Sequence, residues 1–136
     1  MAFIRNAAVN SVIVGSITSN GSATAFNTSS DYRLKENVTY SWDATTRLKQ
    51  LKPARFNFIS DSTDTLVDGF LAHEVSSVVP EAITGDKDGT YTEQDESDNL
   101  GKEGDAKYQA IDQSKLVPLL VKTIQELEAR ITALES

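Results

Sequence analysis

The clearest hydrophobic pattern lies at the C-terminal end of the chain. Val117, Leu120, Ile124, Leu127, Ile131 and Leu134 recur at alternating steps of three and four. That spacing predicts an amphipathic helix with a heptad seam. Asp112 or Ser114 can cap its start, and Pro118 is tolerated only if the helix begins close to it or kinks there. The seam can pack on the domain's own sheet or pair with other chains. β-Branched residues at its a positions and leucine at d nominally favour two strands.

The other end reads differently. Asn10–Thr18 is β-branched and predicts a strand, Asn20-Gly21 a turn, and Ala23–Phe26 a second extended piece. Large side chains are too few here for a separate core, so residues 7–28 are either a linker or a strand region completed by identical chains. Further along, Thr39–Trp42 can finish a strand. Asp43 can cap a short helix to Leu51, with Leu48 and Leu51 inward, before Pro53 stops it. Ala54–Ile59 alternates as a strand with Phe56 and Phe58 on one face. A polar turn at Ser60–Asp64 leads to a strand at Leu66–Leu71, then a helix at Ala72–Val79 ended by Pro80. These segments are too short for a doubly wound sheet, and a small α+β domain is predicted.

Thr84–Lys107 is a long polar excursion with eight acidic residues and three lysines, a net −5 of the chain's −7. Asp86, Asp88, Gly89, Thr90 and Thr92 stand at calcium-loop offsets. Thr84 replaces the first aspartate, however, and Asp95 the bidentate glutamate. A solvated loop or hairpin arm is the expectation. With 136 residues and 39% hydrophobic content the chain has room for one domain with a modest core. It has no cysteine, hence neither disulfides nor thiolate metal sites. The acidic balance argues against nucleic acid or an anionic membrane as partner. There is no signal peptide and no long apolar run, so the chain is expected to be soluble. No cofactor is implied.

Candidate chemistry sits in Ser29-Ser30-Asp31-Tyr32-Arg33-Leu34-Lys35-Glu36-Asn37. Ser30 and Lys35 are spaced like a Ser-Lys pair, in which the hydroxyl attacks and a neutral amine takes its proton. Lysine is normally charged at pH 7, so Lys35 needs desolvation or nearby cations, and Arg33 is close in sequence. Five positions apart, the two side chains point about 140° apart on a helix and to opposite faces on a strand. The pair therefore requires a bend between them or a second chain. The plainer reading is a turn or helix start capped by Ser30 or Asp31. His73, the only histidine, has no second ligand nearby for a metal. It reads either as a half-buried helix residue or as an auxiliary acid, base or hydrogen-bond donor to the Ser30–Lys35 pair.

Ser30-Asp31-Tyr32-Arg33-Leu34-Lys35-Glu36-Asn37-Val38 resembles the S-D-x-R-L-K-x-x-(I/V) signature of the endosialidase-type intramolecular chaperones, self-cleaving C-terminal domains of bacteriophage tailspikes and tail fibres. Gly69–Val75 with Val79-Pro80-Glu81-Ala82, and Tyr108–Leu127 containing Leu116-Val117-Pro118-Leu119-Leu120, resemble two further blocks of that family. The resemblance implies that residues 1–30 are the end of a trimeric β stalk and residues 31–136 the chaperone and auto-cleavage domain. It implies a homotrimer, with the acidic arm holding the stalk, and a cut between Ser30 and Asp31 with Ser30 as nucleophile and Lys35 as base. It also implies a fibre precursor made in the bacterial host cytoplasm, whose C-terminal domain is released after cleavage. Relatives often carry glutamine where His73 stands. The competing classes are a non-catalytic trimerisation or receptor-binding tip, and the similar cleavage domain of membrane-bound transcription factors of the myelin regulatory type.

Overall fold

The computed structural model describes residues 2–7 and 10–136, with side chains described from residue 14 onward. The chain divides into two compact units, Met1–Ser41 and Trp42–Ser136. In the first, β1 (Ala2–Ala7), β2 (Asn10–Ser19) and β3 (Thr24–Thr28) form an antiparallel sheet in sequence order. Both strands expected between Asn10 and Phe26 are present within β2 and β3. Residues 8 and 9 of the 7–28 segment lie outside the described residues. The β2–β3 turn holds Gly21 at φ +90, a left-handed conformation that glycine adopts without a Cβ penalty. Asn20 Oδ1 accepts from the amides of Ser22 and Ala23 at 3.0 and 2.8 Å, as expected of an asparagine-led turn. On one face of β2–β3, Asn27 Nδ2 donates to Ser16 and Thr18, a polar cross-strand link. The strand expected at Thr39–Trp42 is absent: this stretch meets no partner strand and runs without regular structure.

The second unit is a small mixed α and β domain. Asp43 accepts from the amide of Thr46 and caps α1 (Ala44–Leu48). β4 (Ala54–Phe56) pairs antiparallel with β5 (Val67–Gly69). Both strands are shorter than their apolar patterns suggest, with three residue pairs in the ladder. Phe58 leaves the ladder but stacks edge-on against Phe56 at 5.3 Å between centroids. In the intervening turn, Asp61 accepts from the amides of Thr63 and Thr65. α2 (Ala72–Ser76) also ends early, and a 3₁₀ turn at Pro80–Ala82 follows. β6 (Ile83–Thr84) pairs with β7 (Ala110–Ile111), and the chain then reaches α4 (Val117–Glu135) through a 3₁₀ turn capped by Asp112. Pro118 lies in the first turn of α4, where its missing N–H has no partner to lose.

The core of this unit is Ala44, Val75, Val78, Val79, Ala82, Leu116 and Leu119, with Leu48, Leu51, Phe70, Ile83 and Ile111 packed against it. Arg47 ties α1 to the end of α2: its Nε donates to the Val78 carbonyl at 2.8 Å and its head group pairs with Glu81. Glu126 ties α1 to α4, accepting from the amides of Ala44 and Thr45 and from the Thr45 hydroxyl. The Thr45 hydroxyl, then those amides, hold the Glu126 carboxyl below its ordinary value of 4.5. A carboxylate with a depressed folded pKa stabilises the fold above its unfolded value, and that contribution fades as pH falls through the folded one. The thermal midpoint of the full chain should therefore fall on acidification through pH 4.5 and below. Glu126→Gln should lower the midpoint at neutral pH and flatten part of this dependence, as followed by circular dichroism. Beside Glu126, the Thr123 hydroxyl is buried and has no hydrogen-bond partner among the described residues. Thr123→Val should consequently raise unfolding stability by about 1 kcal/mol in denaturant titration.

Residues 84–110 fold back on themselves as an arm, and the expected polar loop has more internal order than its composition suggests. Thr90 bridges Ala106. α3 (Glu93–Ser97) carries a reciprocal capping box between Thr92 and Asp95. Lys107 donates to Asp95 at 2.7 Å and lies 5.4 Å from the centre of the Tyr91 ring. Lys107 first, and Thr92 second, bring the Asp95 carboxyl down to about 2. Gly101 closes against the same ring: a Cβ there would come within 2.4 Å of it. Asp95, at the bidentate position of the imperfect calcium loop, is thus committed to Thr92 and Lys107.

Candidate active site

The Ser30–Lys35 segment follows directly on the end of the first unit's sheet. The Ser29 amide donates to the Val14 carbonyl at 3.0 Å, extending the β2–β3 ladder one residue past β3. Ser30 comes next, and the chain then tightens into a 3₁₀ turn at Tyr32–Leu34. Asp31 is extended, at φ −62 and ψ 136, and caps the turn by accepting from the Arg33 amide at 2.9 Å. The amides of Leu34 and Lys35 donate back to the carbonyls of Asp31 and Tyr32, both at 3.1 Å. Lys35 is extended again, and Asn37 takes a left-handed conformation at φ 53, which asparagine tolerates better than most residues.

This turn supplies the bend that the spacing of the pair requires. Neither a continuous helix nor a continuous strand brings residues five apart together, but one 3₁₀ turn between two extended residues does. Lys35 Nζ lies 2.8 Å from Ser30 Oγ within a single chain. Drawn as an ammonium, Lys35 donates to the hydroxyl; as a neutral amine it can accept the hydroxyl proton.

Arg33 folds back onto Asp31. Its Nε donates to Oδ1 and its terminal nitrogen to Oδ2, each at 2.9 Å, in a bidentate pair. The Arg33 side chain and then its amide hold the Asp31 carboxyl below the usual carboxylate range, and Asp31 in turn raises Arg33. Arg33 is the cation the sequence offers for tuning Lys35, and here its charge is compensated by Asp31. Ser30, Arg33 and Lys35 are all exposed, as are Tyr32, Leu34, Val38 and Tyr40 around them. In the single chain, the bend is in place and Lys35 is open to solvent.

His73 belongs to the other unit, on α2, and is exposed rather than half-buried. The structure thus brings together Ser30, Asp31, Arg33 and Lys35 of the named residues, with His73 in a separate unit. Among the described residues no group of three histidine, aspartate or glutamate side chains is gathered as a metal site. Among them, too, no helix is long and apolar enough to cross a membrane.

The heptad helix shows where another surface lies. Leu119 is 2% exposed and Thr123 3%, and with Glu126 they form the face of α4 turned to its own domain. The seam residues Val117, Leu120, Ile124, Leu127, Ile131 and Leu134 are all exposed, Leu120 by 46% and Ile124 by 63%. The two faces lie roughly a quarter-turn apart around the helix. Packing on the domain's own sheet, one of the two options the seam allowed, is not what this chain does.

Residues 30–84 match the family model Peptidase_S74, described as chaperone of endosialidase. The match begins at Ser30 and covers the turn, Ser30 and Lys35, and the Gly69–Ala82 block, but not the third block, Tyr108–Leu127, in which α4 begins. No curated protein matches the chain.

Proposed function

We propose, from the premise that this chain carries an endosialidase-type chaperone domain, that it acts as the trimerising and self-removing end of a phage tail fibre or tailspike. Three copies associate through the exposed α4 seam and hold residues 1–30 in register as the start of a stalk. Strands with little local structure meet a large entropic cost of closure before their contacts form, and a pre-assembled trimer raises their effective concentration. The chain is then cut between Ser30 and Asp31. The observation that carries the cleavage is the 2.8 Å approach of Lys35 Nζ to Ser30 Oγ.

In that reaction, neutral Lys35 takes a proton as the new C–O bond forms at the Ser30 carbonyl. The Ser30–Asp31 C–N bond breaks, and the Asp31 nitrogen leaves as an amine after gaining a proton from the lysine. Attack by Ser30 on its own carbonyl would need a strained four-membered ring. Attack by the serine of another copy avoids that ring and leaves an ester that water must then hydrolyse, whereas a water that Lys35 activates gives the Ser30 carboxylate directly. An N→O shift at Ser29–Ser30 proceeds through an easier five-membered ring but cuts one bond earlier. His73 is kept as an auxiliary donor, acid or base. Arg33 is kept through its pair with Asp31. The fibre precursor would be made in the bacterial cytoplasm and shed this domain after folding.

The exposure of Lys35 favours one competing reading, a trimerisation or receptor-binding tip in which the dyad is silent. Light scattering decides the first half of the proposal: three chains per particle are expected, and a stable monomer at micromolar concentration would remove the chaperone mechanism. Intact mass after incubation at neutral pH decides the second, with fragments 1–30 and 31–136 expected. A wholly uncut trimer would leave the silent tip.

A further inference from the structure

The bend that makes the dyad is itself built by two side chains. Asp31 Oδ1 accepts from the Arg33 amide and from Arg33 Nε, while Oδ2 accepts from the other guanidinium nitrogen, all three at 2.9 Å. One carboxylate thus fixes both the backbone of the turn and the side chain that leaves it. An isolated exposed ion pair orders little. This one is bidentate and shares its acceptor with the cap of the turn, so losing either partner loosens the turn that connects Ser30 to Lys35.

We infer that the Asp31–Arg33 pair is a positioning clamp for Ser30 and Lys35, and that Arg33 acts through this geometry rather than through its charge on Lys35. The inference rests on the cleavage reading for its consequence and on the turn alone for its structure. Arginine's planar fork is required, because lysine offers a point charge that cannot bridge both carboxylate oxygens in the same way. Asparagine at position 31 can still cap the turn but cannot hold the guanidinium as an ion pair.

The test has two arms. In the first, cleavage rates are measured by intact mass from pH 6 to 10 for the full chain, Asp31→Asn, Arg33→Gln, Arg33→Lys and the Asp31→Asn/Arg33→Gln double variant. A clamp predicts that each single change slows cleavage about tenfold or more at every pH, without moving the inflection of the profile. The double variant should be no slower than the worse single, because both remove the same interaction. If Arg33→Gln moves the inflection to higher pH and Arg33→Lys restores it, Arg33 works by charge and the inference is overturned. In the second arm, the Ser30→Ala chain, which cannot cut, is examined by NMR. Nuclear Overhauser contacts should join the methyl group at position 30 to the Lys35 side chain, and Asp31→Asn or Arg33→Lys should abolish them. Contacts that survive both changes refute the clamp whether or not the chain cuts. Contacts that vanish while the unsubstituted chain stays whole uphold the clamp and remove only the cleavage reading.

Discussion

Ser30→Ala should leave the chain at full length under conditions in which the unsubstituted protein is expected to separate into two fragments. No other side-chain oxygen is within hydrogen-bonding distance of Lys35 Nζ among the described residues. Lys35→Ala should slow cleavage by at least about a hundredfold, the usual scale for removing a general base. Lys35→Arg separates two roles that the alanine change confounds. Arginine keeps the positive charge but does not give up its proton at accessible pH, so it should be as inactive as alanine. Activity surviving in Lys35→Arg would make the lysine an electrostatic group. The same spectra decide the bond: a small fragment ending at Ser30 supports the cut before Asp31, and one ending at Ser29 the acyl shift. All three variants should assemble like the unsubstituted chain, because the turn and α4 belong to separate units of the fold.

The second large effect separates assembly from folding. Leu120→Asp combined with Leu127→Asp should break the proposed trimer into folded monomers. Both side chains are exposed in the single chain, and each change places a carboxylate in a seam that only partner chains would bury. Leu119→Asp, one position from Leu120, should instead unfold the domain, since Leu119 is in the core against α1. Even Leu119→Ala should cost about 2–5 kcal/mol, a large part of the 5–15 kcal/mol that typically holds a domain together. Sedimentation with circular dichroism distinguishes the outcomes. If the double aspartate variant loses its helical signal at concentrations where the unsubstituted chain is folded, the seam is needed for the fold of each chain and not only for association.

These contrasts show what the order of residues reveals and where it stops. Heptad spacing in α4 was legible because periodicity identifies a face; it says nothing of what that face meets, and only the burial of Leu119 and Thr123, with Glu126 half-buried beside them, shows that the seam is not packed on the domain's own sheet. The Ser30–Lys35 spacing was legible as chemistry, and so was the need for a bend. The bend itself depends on how Arg33 returns to Asp31, a side-chain geometry that residue types alone do not specify. α3 was missed although Thr92-x-x-Asp95 is a capping-box signal, because it sits inside a run of charge that reads as solvated loop. Strands at Ala54–Ile59 and Leu66–Leu71 were placed correctly and drawn too long, since apolar alternation records preference and not the presence of a pairing edge.

The position of the turn has one more consequence. Ser30 lies on one side of the proposed scissile bond and Lys35 on the other, and their meeting depends on the four residues that link them. A cut between Ser30 and Asp31 opens that loop, and the high effective molarity of the two groups disappears with it. The upstream product keeps the hydroxyl and gains a carboxylate just beyond its last ladder bond, to Val14. The downstream product would keep the lysine amine and gain a new amino terminus at Asp31. If the proposed cut occurs, such a site would work as a fuse: the act that it performs would dismantle it, and no inhibitor would be needed to stop a second turnover.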